Sequence, residues 1–255
     1  MSLTDPTDLT GKSVVVTGAG RGFGRALALN AGRLGARVFV SARSLAAAQR
    51  VADEVAADSG ARADAFDCDL ADPVSVRTFA GAVSTRTDRV DVLINNGARY
   101  LEGPDLWDAD DDAITDTIAS GATGTLLTVK HFLPLLRASP GADVVNLVSS
   151  AAEPRNHRSQ AHPAFYAAKA AQAGFADILS ERLRPEGIRV ISLYPPDCTR
   201  TGRLRAPPPW NTGSVRTAER AGFRREGLLR GRQQVGADRR DMFMYALLRA
   251  GQRGR

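Results

Sequence analysis

The stretch that decides the fold runs from Val14 to Arg25 and reads VVVTGAGRGFGR. Three consecutive valines predict a strand buried on both faces, as in a parallel sheet, and the apolar periodicity after the glycines predicts a helix. Glycines also occur in ordinary tight connections. Here, however, they would let the backbone approach an anion at a helix N-terminus. Because a strand precedes the turn and a helix follows it, the stretch predicts a dinucleotide-binding site.

Strands and helices alternate along the next 170 residues. After the first unit we predict strands at 37–41, 61–66, 90–94, 143–148 and 188–193. The predicted helices cover 44–58, a segment starting at Asp72-Pro73, 110–137 and 165–184. Such alternation is typical of a Rossmann-like doubly wound parallel sheet in three α/β/α layers.

Composition narrows the class of protein further. The 255 residues are 43% apolar, enough for one large α/β domain. The two cysteines, Cys68 and Cys198, imply no disulfide framework, and we expect buried, inert thiols. The N-terminus lacks the basic start and apolar run of a signal peptide, and no stretch is apolar enough to span a membrane. We therefore expect a soluble, cytoplasmic protein.

The net charge of +6 is unevenly distributed. From Arg200 onward there are fourteen arginines and four acidic residues, whereas the rest of the chain carries twenty basic and twenty-four acidic residues. A basic tail can bind nucleic acid or an acidic surface. Here the arginines are interleaved with apolar residues and the tail contains no lysine, which favours a structured amphipathic segment. We expect neither a nucleic-acid nor a membrane partner.

Five motifs spread along residues 10–200 resemble those of the short-chain dehydrogenase/reductase family. They are TGAGRGFG, DVLINNGA, LVSSAAE, YAAKAAQAGF and GIRVISLYPP. The resemblance implies hydride transfer between a nicotinamide cofactor and a carbonyl or alcohol. It also implies three catalytic residues: Ser150 would polarise the substrate carbonyl, Tyr166 would donate or accept the proton, and Lys169 would lower the pKa of Tyr166.

The tyrosine and lysine are not at the family's usual spacing. In the family the tyrosine and the lysine are four positions apart, whereas Tyr166 and Lys169 are three apart, and an ungapped alignment puts Phe165 in the place of the tyrosine. On a helix both residues stay on one face, but the hydroxyl is displaced. A non-helical first turn or a π-bulge would restore the geometry. The alternative is a catalytically impaired, dinucleotide-binding protein.

The resemblance also implies a set of cofactor-binding residues. An acidic residue at the end of the second strand would repel a 2′-phosphate. Here that place reads Ser41-Ala42-Arg43-Ser44, with no acidic residue and one arginine. Arg43 and Arg21 in the glycine turn instead favour NADP(H) over NAD(H), and Asp69 is the expected adenine contact. The full predicted set is Gly18, Gly20, Arg21, Gly22, Phe23, Gly24, Arg43, Asp69, Leu70, Asn96, Gly97, Tyr166, Lys169 and Pro195.

Two further segments depart from the family pattern. In the family's long helix an asparagine supports a proton relay. In this sequence the corresponding position falls at Ser120 or Gly121, so the asparagine is replaced. The loop after Ser150 is longer than usual and contains Arg155, His157, Arg158 and His162, so it would border the substrate or be a solvated insertion. We expect no metal site, because no carboxylate or cysteine joins those histidines at ligand spacing.

The chain divides into a predicted dinucleotide-binding and catalytic domain at 1–205 and an atypical basic segment at 206–255. In the tail, a predicted helix at 214–221 and two strand-like runs around 227–230 and 242–248 resemble the end of a GNAT-type N-acetyltransferase. The pyrophosphate-binding loop of that family has no counterpart upstream, so we expect no acetyl transfer. The family's seventh strand, through which dehydrogenases commonly pair, is not recognisable, which weakens the expectation of a homo-oligomer.

Overall fold

The computed structural model describes residues 8–103, 105–149, 161–194, 224–235 and 238–246. The strands are β1 (Ser13–Val16), β2 (Arg37–Ala42), β3 (Ala63–Asp67), β4 (Val92–Asn95), β5 (Ala142–Leu147), β6 (Ile188–Leu193), β7 (Arg224–Val235) and β8 (Asp238–Ala246). The helices are α1 (Gly22–Arg33), α2 (Leu45–Ser59), α3 (Pro73–Ser84), α4 (Asp111–Ile118), α5 (Gly124–Arg137) and α6 (Pro163–Leu183).

Six of the strands form one parallel sheet in the order β3-β2-β1-β4-β5-β6. Val15 pairs with Phe39 of β2 on one side and with Leu93 of β4 on the other. The strand order therefore reverses between β1 and β4, where open α/β sheets leave a crevice at the carboxyl ends of the strands. The predicted doubly wound α/β fold is confirmed.

Helices cover both faces of the sheet and explain the run of valines. Val14 and Val16 face the helix pair α1 and α2, while Val15 lies in a second core cluster with Phe79 of α3 and Phe132 of α5. All five side chains are at most 1% exposed, and such burial contributes about 1.5–3 kcal/mol for each residue. A strand covered on both faces cannot alternate apolar and polar residues.

The long helix predicted at 110–137 is interrupted by a π-helical segment, Ala119–Thr123, between α4 and α5. At its centre Gly121 packs against α6, and a Cβ added there would come 2.9 Å from the Cβ of Ala168. A π-turn contains one extra residue and therefore breaks the regular series of main-chain hydrogen bonds in the helix. This interruption lies where α6 crosses.

The last two described strands, β7 and β8, form an antiparallel pair of their own. The run predicted around 227–230 lies within the longer strand β7. The run predicted around 242–248 overlaps β8, which starts earlier, and its last two residues lie outside the described residues. The helix predicted at 214–221 lies outside the described residues. Across the described ranges, no helix is long and apolar enough to cross a membrane.

Candidate functional site

The carboxyl ends of β1 and β4 are joined by hydrogen bonds between Thr17 and the segment Asn96-Gly97. The Thr17 hydroxyl oxygen accepts from the amides of Asn96 and Gly97, both at 3.1 Å. The Asn96 side-chain amide donates to the carbonyl oxygens of Thr17 at 3.0 Å and Gly18 at 3.1 Å. Asn96 therefore holds the start of the glycine turn against the neighbouring strand, directly at the crevice.

Three of the predicted cofactor glycines have close neighbours within the protein. A Cβ on Gly18 would overlap the backbone of Gly97, and one on Gly24 would overlap the Asn96 side chain. A Cβ on Gly20 would come 2.9 Å from that of Ala42. Packing within the protein therefore requires a missing side chain at these positions, whether or not a ligand binds.

Gly22 is different because its space is open. Its φ is +58°, and a Cβ there would meet nothing within 4 Å. It lines a surface cavity of about 260 Å³ together with Gly20, Arg21, Arg25, Arg50, Val51 and Glu54. This cavity lies at the N-terminus of α1, whose cap residue Arg21 makes no side-chain capping hydrogen bond. Open backbone amides at a helix start, next to glycine, fit a pyrophosphate.

The cations predicted to select the cofactor lie on the same side of the sheet. Arg43 directly follows β2 and is exposed, as is Arg21. Neither forms an ion pair with any acidic residue that the structure describes. Arg25 of α1, in contrast, is paired with Glu54 of α2. Arg21 and Arg43 are thus available to an anion at this edge, as is Arg50 of α2, which lines the cavity and is also exposed.

Asp69 and Leu70 follow β3 at the same edge. Asp69 is exposed, and its Oδ1 accepts from the amide of Ala71 at 2.9 Å, which shapes the turn into α3. The Leu70 side chain packs against Gly97, where a Cβ would overlap its Cδ1. Cys68, just before them, is buried, and burial raises the pKa of its thiol to about 12. The expectation of a buried thiol is confirmed for Cys68, and its low reactivity stays a prediction.

Lys169 is the most deeply buried of the predicted catalytic residues, at 4% exposed. Its Nζ donates to the carbonyl oxygen of Leu147 at 2.6 Å, at the end of β5, and to Oε1 of Gln172 at 3.0 Å. The Phe165 ring lies over it, with the centroid 5.7 Å from Nζ. The helix therefore aims the ammonium inward, at the carboxyl edge of the sheet.

The helix α6 is regular from Pro163 to Leu183, so neither device that would restore the usual tyrosine–lysine spacing is present there. At about 100° per residue, Phe165 is displaced about 40° from Lys169 around the axis and Tyr166 about 60° to the other side. Tyr166 is half-buried. The π-segment predicted as one possibility for this helix is found instead between α4 and α5.

His162 starts this helix and does not belong to a solvated loop, which corrects one of its two predicted settings. Its Nδ1 accepts from the amide of Ala164 at 3.1 Å, and its own amide donates to the carbonyl oxygen of Leu101 at 3.3 Å. The side chain is fully buried. Next to it, the Tyr100 ring meets that of Phe165 edge-on at 5.1 Å. The segment after β4 is thereby fixed to the first turn of α6.

Of the remaining predicted site residues, Phe23 lies half-buried in the first turn of α1. Ser150 and Pro195 lie outside the described residues, as do Arg155, His157 and Arg158. Sequence reasoning overlooked two buried polar residues next to Lys169: Gln172 and Thr125, at 0% and 2% exposed. Their signal is a polar residue on a helix face that is otherwise alanine-rich or apolar. Among the described residues, no three His, Cys, Asp or Glu side chains are grouped as metal ligands.

The fold and the glycine turn define a dinucleotide-binding α/β protein, and comparison with known proteins defines its family. Residues 12–210 match the family described as short chain dehydrogenase. The chain belongs to this family of oxidoreductases.

Two solved structures of the family resemble the described fold. A metagenomic short-chain oxidoreductase in complex with NADP has 30% sequence identity and a TM-score of 0.69, covering 83% of this chain and 91% of that one. The RhlG/NADP active-site complex of Pseudomonas aeruginosa has 28% identity and a TM-score of 0.68, covering 75% of both chains.

Curated relatives have similar levels of identity. D-threitol dehydrogenase of Mycolicibacterium smegmatis is 31% identical over 189 residues, which is 73% of this chain and 70% of that protein. Human retinol dehydrogenase 13 is 29% identical over 200 residues, which is 73% of this chain. That match covers only 59% of the human protein, so the chain spans less than two thirds of the length of some of its relatives.

Proposed function

We propose that this protein is an NADP(H)-dependent oxidoreductase that transfers hydride between the nicotinamide and a small carbonyl or alcohol substrate. The observation that carries the proposal is the buried ammonium of Lys169 at the carboxyl end of β5. The glycine turn follows β1, two strands away at the same edge of the sheet. A phosphate cradle and a fixed cation at one edge are what this chemistry needs.

The turn around Gly22 and the N-terminus of α1 would hold the pyrophosphate, and Asn96 keeps that turn in place. Arg43 and Arg21 would pair with a 2′-phosphate, which supports NADP(H) over NAD(H). Relatives in complex with NADP point the same way. When bound, the nicotinamide supplies or accepts the hydride. Asp69, Leu70 and Pro195 would complete the contacts at the edge of the pocket.

The protein's own part is to hold and move a proton at the substrate oxygen. Tyr166 would donate it during carbonyl reduction and remove it during alcohol oxidation. Lys169 would place a fixed positive charge at the edge of the sheet where this proton transfer takes place. Ser150 would hydrogen-bond the same oxygen and polarise the carbonyl.

One observation favours a second function, that of a dinucleotide-binding protein with impaired chemistry. Phe165 lies four residues before Lys169 and is closer to it around the helix axis than Tyr166 is. Its ring contacts the lysine but has no proton to donate. Such a protein would bind NADPH as a sensor or scaffold without turning over a substrate.

Two matched substitutions separate these functions. Tyr166→Phe removes the hydroxyl and keeps the ring, whereas Phe165→Leu removes the other ring of the pair. If Tyr166 is the proton donor, Tyr166→Phe lowers ketone-dependent NADPH oxidation about 100-fold or more and leaves the NADPH Kd within about twofold. Phe165→Leu removes the ring contact with Lys169 but no proton donor, so we expect it to lose much less activity than Tyr166→Phe. Thermal stabilisation by NADPH with no turnover of any ketone in a broad panel would support the binding-only function.

The division into a catalytic domain at 1–205 and a basic segment at 206–255 is part of the same proposal. The antiparallel pair β7–β8 is compatible with the resemblance of the tail to the end of an acetyltransferase. Because the upstream pyrophosphate loop of that family has no counterpart, the segment should consume no acetyl-CoA. Acetyl-CoA consumption by the purified protein would overturn this interpretation of the tail.

A further inference from the structure

A chain of buried hydrogen bonds runs from Lys169 across to the π-helical segment. The Lys169 ammonium donates to Oε1 of Gln172 at 3.0 Å, and Nε2 of Gln172 donates to the hydroxyl oxygen of Thr125 at 3.1 Å. The Thr125 hydroxyl in turn donates to the carbonyl oxygen of Gly121 at 2.9 Å. Lys169, Gln172 and Thr125 are each at most 4% exposed.

The direction of each bond in this chain follows from the one before it. A hydroxyl has a single proton, so Thr125, which gives its proton to Gly121, can only accept from Gln172. The NH₂ group of Gln172 must therefore face Thr125, which leaves Oε1 facing Lys169. A flipped amide would place NH₂ against an ammonium and a carbonyl oxygen against an acceptor. Thr125 thus decides which end of Gln172 meets the lysine.

Two of the three Nζ–H bonds of Lys169 are directed by this arrangement, one to Gln172 and one to Leu147. Because the ammonium is tetrahedral, fixing two of its N–H bonds also fixes the third. The face of the Phe165 ring adds attraction for the cation. These contacts fix the position of the Lys169 ammonium, and its hydrogen bond to the carbonyl oxygen of Leu147 fixes it relative to β5.

We propose that Gln172 is a positioning residue for Lys169, and that Thr125 keeps Gln172 in the orientation this requires. The inference rests on the proposed function, in which Lys169 acts on Tyr166 and on the bound dinucleotide. Misplacement of a catalytic group by about 1 Å can cost about 100-fold in rate. Without Gln172 the Lys169 ammonium would lose one of these two hydrogen-bond acceptors and keep the carbonyl oxygen of Leu147.

The chain offers a matched control for the test. Thr125 and Thr128 both lie buried on α5, and each donates to the carbonyl oxygen four residues earlier. Only Thr125 also accepts from Gln172. Thr125→Val and Thr128→Val therefore remove the same kind of side-chain bond, but only the first leaves the Gln172 amide without its acceptor.

The protein contains three lysines, Lys12, Lys130 and Lys169, so the ammonium of interest can be observed directly. With selectively ¹⁵N-labelled lysine, the Nζ resonance of Lys169 should show slow proton exchange in the wild type, because it is buried and hydrogen-bonded. In Gln172→Leu we expect that exchange to quicken at least about tenfold, with a smaller increase in Thr125→Val. Gln172→Glu, which keeps an acceptor oxygen for Lys169, should restore the protection, and Thr128→Val should match the wild type.

Kinetics provide the second readout. In Gln172→Leu we expect kcat for ketone reduction to fall about 10- to 100-fold with little change in substrate KM, and the pH–rate profile to shift. Unchanged Lys169 exchange in Gln172→Leu would overturn the positioning role whatever the kinetics show. If the wild type turns over no substrate, the proposed function fails, and the exchange measurement still decides whether Gln172 holds Lys169.

Discussion

Gly18 and Gly22 lie in the same turn with nearly the same φ angle, yet their surroundings differ. Their φ angles are +62° and +58°, so alanine at either position incurs the left-handed strain of about 1–2 kcal/mol. At Gly18 the new Cβ would also overlap the backbone of Gly97. Forcing β4 and the turn apart adds about 1–3 kcal/mol. We expect Gly18→Ala to lose about 2–5 kcal/mol and Gly22→Ala about 1–2 kcal/mol.

The two variants should differ in which property they lose: Gly18→Ala mainly loses stability, and Gly22→Ala mainly loses NADPH affinity. For a chain of this length each kcal/mol lowers Tm by about 2–4 °C, so Gly18→Ala should melt well below Gly22→Ala. Gly22→Ala places a methyl group in the open space at the start of α1, and we expect its NADPH Kd to rise about tenfold or more. Both quantities come from thermal melts with and without NADPH and from titration calorimetry.

Gly11 provides the matched control, since its φ is +74° and a Cβ there would meet nothing within 4 Å. Gly11→Ala should cost the same backbone strain as Gly22→Ala and leave the NADPH Kd unchanged. If Gly22→Ala binds NADPH as tightly as Gly11→Ala does, the open face of the turn is not the phosphate site. If Gly18→Ala melts no lower than Gly22→Ala, the close approach to Gly97 is not what demands glycine.

Three further predictions concern other parts of the chain. Asp91, 2% exposed, accepts from the amide of Ser13 and the hydroxyl of Ser139 and pairs with Lys12; burial alone would raise its pKa, but these partners outweigh it and lower the pKa below the ordinary 3.8. Asp91→Asn should therefore destabilise the protein by about 2–4 kcal/mol in denaturant titrations at neutral pH, and the difference should shrink as the pH falls below 3.8 through the lowered pKa; an equal difference at all pH values would contradict it. Arg43→Glu should weaken NADPH binding at least about tenfold and NADH binding much less, as fluorescence titration would show, and tighter binding of NADH than NADPH by the wild type would refute the charge argument. In a Cys198→Ser background, Cys68 should react with a disulfide reagent at pH 8 only when denaturant is added, because its pKa is about 12; rapid reaction of the native protein would disprove this.

The sheet could be predicted from sequence because its signals are local. Buried parallel strands are continuous apolar runs, and Asp72 with Pro73 marks the start of α3, where the Asp72 carboxylate accepts from the amide of Val74 as a cap does. The same signal is present at His162-Pro163, where His162 caps the helix, although the predicted helix starts only at Phe165. Histidine is not among the usual cap residues, so the pattern is easily passed over.

The polar arrangement around Lys169 could not be predicted in this way. It depends on where α5 and α6 cross, and that crossing depends on the absence of a side chain at Gly121, which packs on Ala168. Gln172 and Thr125 are 47 residues apart in sequence. No local pattern links two positions at that separation. The family resemblance indicated which lysine matters, whereas its protein partners emerge only from the packing of the two helices.

Isotope transfer can show whether the protein moves a hydride between NADPH and a carbonyl. The protein is incubated with NADPH deuterated at the transferable position and a panel of aldehydes and ketones, and the alcohols are analysed by mass spectrometry. We expect an alcohol carrying one deuterium with the wild type and about 100-fold less of it with Tyr166→Phe. Tight binding of NADPH with no deuterated alcohol from any substrate would contradict it.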